Sequence, residues 1–148
     1  MTFTATAPEA VRARLAAARV IAVLGAHHEA HRPAFYVPEY LFRQGYRILP
    51  VNPALVGQVL WGEPVQATLQ DWRGQFDLVD VFRRADALPA HVEEILGASR
   101  PGTLVWFQAG IRNDAVAAQL SAAGLDVVQD RCTLADHRAW GIGPVARS

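Results

Sequence analysis

The stretch VIAVLGAHHEAHRPAFYVPEYL (20–41) decides the fold. Five apolar residues end at Gly25, a polar loop with three histidines follows, and helical spacing resumes near Phe35. An apolar run, a glycine and then a helix read as a strand–turn–helix unit, the opening of a βαβ segment. A metal motif competes for the same letters. His27 and His31 have the i, i+4 spacing of a helical zinc pair, but Glu29 is out of register for the catalytic glutamate. Pro33 also biases Arg32 away from helical angles, so the histidines fall on a loop. The turn reading prevails, with no metal expected.

Outward from this unit the pattern repeats. Apolar runs stand at YRILPV (46–51), FDLVDVF (76–82), TLVWFQ (103–108) and LDVVQD (125–130). Helical segments are expected at about 35–44, 87–98 and 112–123, with a short one near 65–72. Short runs with little alternation suit strands covered on both faces. Their alternation with helices predicts an α/β fold: one doubly wound, Rossmann-like domain over 1–148, with a five-stranded parallel sheet and helices on both faces. The opening MTFTATAPEAVRARLAAAR (1–19) supplies a cap and an early proline. It predicts a helix within 1–18 packed on the edge of the domain.

Composition narrows the function. Acidic and basic residues number 14 each, so no broad basic field is present to recruit nucleic acid or acidic lipid. One cysteine makes no internal disulfide, no apolar run reaches the ~20 residues of a membrane span, and no signal peptide is visible. The expectation is a cytoplasmic protein with a small-molecule ligand, no nucleic acid and no membrane; a protein partner is not specified. Every basic side chain is arginine, so an anion must be met by guanidinium forks or backbone N–H groups.

In a doubly wound sheet, ligands sit beyond the carboxyl ends of the strands. After the first run, Gly25 allows a tight turn and close approach, and the following helix start offers free N–H groups to an anion. Pro38 is expected within those first four positions, where its missing N–H costs nothing. Arg32 adds a fork suited to phosphate. A nicotinamide dinucleotide is a weaker candidate. Gly25, His27 and Ala30 occupy the G-x-G-x-x-G positions, and no acid ends the second run. That run ends instead in Val51, Asn52 and Pro53, which read equally as an apolar wall for an adenine or as a plain turn. Phe82, Arg83 and Arg84 end the third run, Gln108 the fourth, and Cys132 follows the fifth.

Together these pieces resemble the small stand-alone CoA-binding proteins, whose fold is shared with the N-terminal domain of the succinyl-CoA synthetase alpha subunit. The resemblance runs from about Val20 to His137. It is carried by AVLGAHHEAHRPAFYVPEYL, GYRILPVNPALVGQVLWGEPV, VDVFRR, LVWFQAGI and AAGLDVVQDRC. It implies that the loop from Gly25 and Ala26 through His27, Arg32, Pro33 and Ala34 holds the phosphates of coenzyme A or an acyl-CoA. Val51, Asn52 and Pro53 would border the adenine and ribose. Phe82 and Arg83 would form another wall, with Gln108 near the extended arm. Two features depart from the family pattern: His27 and Ala34 stand where serines are usual, and ALVG (54–57) carries no basic residue.

No catalytic residue is expected. The chain shows neither a G-x-S-x-G elbow nor a P-loop lysine motif, His137 has no evident carboxylate partner, and His91, in a helical stretch, reads as exposed rather than catalytic. The expectation is a non-catalytic binding, carrier or sensor protein. The alternatives are an NAD(H)-binding redox or sensory domain and a fragment completing an acyl-CoA ligase in trans. Cys132 reads as a small buried hydrophobe. At the ligand edge it could instead form a mixed disulfide with the cofactor, Arg131 favouring its thiolate.

Overall fold

The computed structural model describes residues 7–146. Helix α1 (Pro8–Ala17) leads into strand β1 (Val20–Leu24), helix α2 (Pro33–Arg43) and strand β2 (Arg47–Val51). A small antiparallel pair, β3 (Val59–Leu60) and β4 (Glu63–Pro64), precedes β5 (Leu78–Val81). Then follow α3 (Val92–Ala98), β6 (Leu104–Phe107), α4 (Asp114–Ala122), β7 (Asp126–Val128) and α5 (Thr133–Ala139). Short 3-10 turns occupy Pro53–Leu55, Leu69–Trp72 and Ala85–His91.

The main sheet is parallel throughout, in the order β2-β1-β5-β6-β7. All five expected runs are its strands. Alternate side chains of each strand enter opposite layers. Ala22, Leu24, Val79, Val81, Val105 and Phe107 meet the Leu69–Trp72 turn, α3 and α4. Ile21, Val23, Ile48, Leu78 and Trp106 meet α1, α2 and α5. The expected three-layer α/β architecture is therefore present.

Several local expectations are corrected. Helix α1 lies on a face of the sheet rather than its edge: Val11 and Leu15 are buried among Ile21, Leu78 and Leu104, and the Tyr46 hydroxyl donates to the Leu15 carbonyl. Its N-cap is Ala7, with no side-chain cap; the threonines ahead of it lie outside the described residues. The segment 87–98 begins as a 3-10 turn containing Pro89 and becomes α-helical at Val92. The short helix near 65–72 is the 3-10 turn Leu69–Trp72, closed by reciprocal Thr68 and Asp71 hydrogen bonds.

Helix α5 was not expected. It is short, and its N-cap, Cys132, makes no capping bond, so the usual start signal is missing. It is held by His137, which is buried and placed between the Tyr40 hydroxyl (2.8 Å, Nδ1) and the Gly143 carbonyl (2.9 Å, Nε2). These bonds fasten the C-terminal segment to α2.

Strand order reverses between β1 and β5: the chain moves outward from β1 to β2, then returns to β1's other side. The loops after those two strands therefore diverge around one crevice. No helix among the described residues is long and apolar enough to cross a membrane.

Candidate ligand-binding site

A cavity of about 590 Å³ opens at that crevice. Its size falls within the ~300–1,000 Å³ usual for cofactor pockets. The loop after β1, the start of α2, the loops after β5 and β6, and Cys132 at the start of α5 enclose it.

Gly25 makes the crevice possible. Its φ is +90°, a region that L side chains avoid. A Cβ there would sit 2.9 Å from the Phe82 carbonyl oxygen and 3.2 Å from Arg83 Nε. The amides of Gly25 and Ala26 both donate to the Val51 carbonyl (2.9 and 3.0 Å), which fixes the turn against β2.

Helix α2 starts two residues earlier than Phe35, with Arg32 as N-cap and Pro33 in the first position. This changes the role of Pro38. It lies within the helix, where its missing N–H leaves the Ala34 carbonyl without a helical donor. The His27 amide supplies one at 3.2 Å, so Pro38 opens the bond that ties the loop to the helix. Phe35 and Tyr36 donate to the Arg32 carbonyl at 2.9 Å, and Pro33 has no N–H, leaving the Ala34 amide as the first-turn donor. The helix end thus offers less to an anion than four free amides would.

Cationic side chains supply more. Arg32, Arg83 and Arg84 border the cavity, and no carboxylate among the described residues does. Arg32 is over half exposed and pairs with Glu29 at 3.2 Å. That bond, more than any other contact, holds the Glu29 carboxyl below the ordinary range. Arg83 is different: its Nε is buried with no hydrogen-bond partner among the described residues. A buried donor without a partner costs about 1–3 kcal/mol, and an anion in the cavity could supply the missing acceptor. Coenzyme A, implied by the resemblance, fits this donor set, because its phosphates suit both the guanidinium forks and the Cβ-free approach at Gly25.

The histidines form a loop cluster. His27 and His28 stack with centroids 5.0 Å apart, and His27 Nδ1 accepts from the Glu29 amide at 3.0 Å. Partial burial and then the Arg32 charge lower the His27 pKa. Among the described residues, no group of three or more His, Cys, Asp or Glu is placed to hold a metal ion.

Of the twelve residues expected to hold the cofactor, nine border the cavity: Gly25, His27, Arg32, Pro33, Ala34, Asn52, Phe82, Arg83 and Gln108. Three do not. Ala26 and Val51 are fully buried in the protein interior, and Pro53 begins an exposed 3-10 turn. Asn52 serves the scaffold: Nδ2 donates to the Ala26 carbonyl (2.8 Å), and Oδ1 accepts from the Ala54 amide (2.9 Å). Its side chain joins the loops after β1 and β2, so a nucleotide would meet its flank.

The remaining lining was not picked out as site. Tyr36 and Val37 come from α2, Ala85 from the turn after β5, and Ala109, Gly110 and Ile111 from the loop after β6. Gly110, the glycine that permits close backbone approach after the fourth run, has φ +85°, and its amide is held by Asp130 Oδ1 at 2.7 Å. Cys132 also borders the cavity, half-buried. Burial pushes its thiol up, against the pull of the Ala135 and Leu134 amides. Arg131 does not favour its thiolate, because that guanidinium is held by Asp136 (2.7 and 3.0 Å) and lies over Trp140.

Beneath the cavity lies a polar group that the sequence did not announce. Asp80, fully buried in β5, accepts from Gln108 Nε2 at 2.7 Å and from Thr133 Oγ1 at 2.9 Å. Burial pushes its carboxyl up to about 7, opposed by those two bonds.

Comparison with known proteins gives this geometry a family. Residues 19–138 match the model of the CoA binding domain, within a residue of the span expected from the sequence at either end. The chain is 33% identical over 117 residues to the uncharacterized protein YneT of Bacillus subtilis (strain 168), covering 79% of this chain and 84% of that one. A solved structure from Thermus thermophilus superposes with a TM-score of 0.85 at 48% identity, covering 90% of this chain and 98% of that one. A hypothetical protein from Pyrococcus horikoshii OT3 superposes with a TM-score of 0.82 at 28% identity, covering 94% and 95%. The chain belongs to the CoA-binding domain family.

Proposed function

We propose that this member of the CoA-binding domain family holds coenzyme A, or an acyl-CoA, in the cavity between the loops after β1 and β5, as a non-catalytic binding, carrier or sensor protein. The observation that carries the reading is the pairing of Gly25 with Arg83. One removes a side chain where a phosphate must approach, and the other brings to the same place a buried guanidinium Nε with no partner among the described residues. The cavity's three arginines, with no carboxylate among the described residues that line it, favour an anionic ligand. Its apolar members, Val37, Phe82 and Ile111, suit the less polar parts of a cofactor.

The non-catalytic part rests on the groups at hand. Burial favours the neutral Cys132 thiol, and among the described residues no basic side chain bonds its sulfur. His27 Nδ1 is occupied by a backbone amide. Neither forms the nucleophile–base pair that acyl transfer requires.

Thermal unfolding with CoA, acetyl-CoA, NAD, NADH and ATP in parallel tests the reading. A ligand present at 100 times its Kd adds about 2.7 kcal/mol, a readily measured rise in Tm. Stabilisation by CoA or acetyl-CoA over the other three is expected. Stabilisation by NAD without CoA would overturn it.

A further inference from the structure

Gln108 closes the floor of the cavity, where β6 ends. Its side chain is almost wholly buried, and its nitrogen end is engaged twice. Nε2 donates to Asp80 Oδ1 at 2.7 Å and lies 2.7 Å from Thr133 Oγ1. Thr133 in turn donates to Asp80 Oδ2 at 2.9 Å. Each Asp80 oxygen accepts one bond, the arrangement of the ionised acid, which has no donor of its own. A carboxylate accepts only from the NH₂ end of a carboxamide. The Gln108 carbonyl oxygen is therefore left facing away from Asp80, and no donor among the described residues reaches it.

We propose that Asp80, with Thr133, is a positioning residue that turns the Gln108 nitrogen inward and presents the Gln108 carbonyl oxygen to the cavity, as an acceptor for an N–H or S–H on the ligand's flexible arm. The inference rests on the CoA reading, since the pantetheine arm carries amide N–H groups and a terminal thiol. It makes the floor selective for donors: a carboxylate or phosphate there would meet a like dipole. The groups facing the Asp80 carboxyl are Gln108 from the end of β6, and Thr133 with the Cys132 thiol from the start of α5. If Asp80 takes up a proton, its new O–H can donate to the amide oxygen. The carboxamide can then turn over and show NH₂ to the cavity.

Calorimetric titration of the full chain with CoA, acetyl-CoA and adenosine 3′,5′-bisphosphate, which lacks the arm, tests this. Asp80→Asn is expected to weaken CoA about tenfold at pH 8, the scale of one hydrogen bond, and to leave the bisphosphate unchanged. Equal weakening of CoA and acetyl-CoA assigns the arm's amide as donor; weakening of CoA alone assigns the thiol. In the wild type, the preference for CoA over the bisphosphate should fall from pH 8 to pH 6, and in the variant it should stay flat. Thr133→Val, which removes the shared hydroxyl, should act in the same direction by about two- to fivefold. It serves as the probe if Asp80→Asn does not fold. Equal loss for all three ligands would mark Asp80 as merely structural and overturn the proposal, as would undiminished binding of CoA and acetyl-CoA. Failure of the wild type to bind any of the three would instead remove the CoA reading beneath it.

Discussion

Gly25 and Arg83 meet across the point where the strand order reverses, with Arg83 Nε 3.2 Å from where a Cβ of residue 25 would lie. Gly25→Ala tests the relationship. The left-handed backbone costs an L residue about 1–2 kcal/mol, and the new methyl would press on the Phe82 carbonyl, which belongs to the backbone and yields little. Urea unfolding should show a loss of about 2–3 kcal/mol. CoA affinity should fall at least tenfold.

Arg83→Met separates binding from stability. It deletes a buried donor that has no partner among the described residues, so the free chain should keep its stability or gain up to about 1 kcal/mol. CoA affinity should nonetheless fall by about 10- to 100-fold, the scale of a charged hydrogen bond. Arg32→Ala should cost less than about fivefold, because that guanidinium is exposed and already paired with Glu29. Calorimetry on both variants checks the order. Arg32 outranking Arg83 would move the anion to the histidine loop.

Pro38→Ala gives residue 38 an N–H that competes with the His27 amide for the Ala34 carbonyl. The helix should gain and the loop should lose. Hydrogen exchange at the His27 amide is expected to speed up by about tenfold or more, from one lost bond. Unchanged exchange would mean that the loop is held by other contacts.

Asp80 predicts a pH dependence of stability. Its carboxyl sits near 7 in the folded chain against about 3.9 in an unfolded one. Between those values the folded chain holds a proton that the unfolded chain has released, so stability falls as pH rises from about 4 through 7. The unfolding free energy of the wild type relative to Asp80→Asn should drop by about 2–3 kcal/mol from pH 5 to pH 8. A rise over that window would contradict the buried, raised carboxyl.

The strands were legible because each is a short apolar run covered on both faces, and the turn at Gly25 because glycine alone suits φ +90°. Legibility failed where partners are distant in sequence. Asp80 stands in FDLVDVF like a chance acid, yet its bonds go to Gln108 and Thr133, 28 and 53 residues away. The one available signal was a charge inside a doubly covered strand, which must be paired. Asn52 was legible as a corner but not as the link to the Ala26 carbonyl, 26 residues back. Helix α5 was missed because tertiary bonds at His137, rather than a cap, hold it.

CoA is proposed to occupy the crevice between Gly25 and Arg83. Amide NMR spectra recorded while CoA is titrated into the full chain address this most directly. The amides of Gly25, His27, Ala34, Arg83, Arg84 and Gly110 should shift together with one binding curve. Those of Gly102 and Gly124, in the loops leading into β6 and β7 at the opposite edge of the sheet, should stay fixed. Shifts centred on the opposite edge, or none at saturating CoA, would contradict the account.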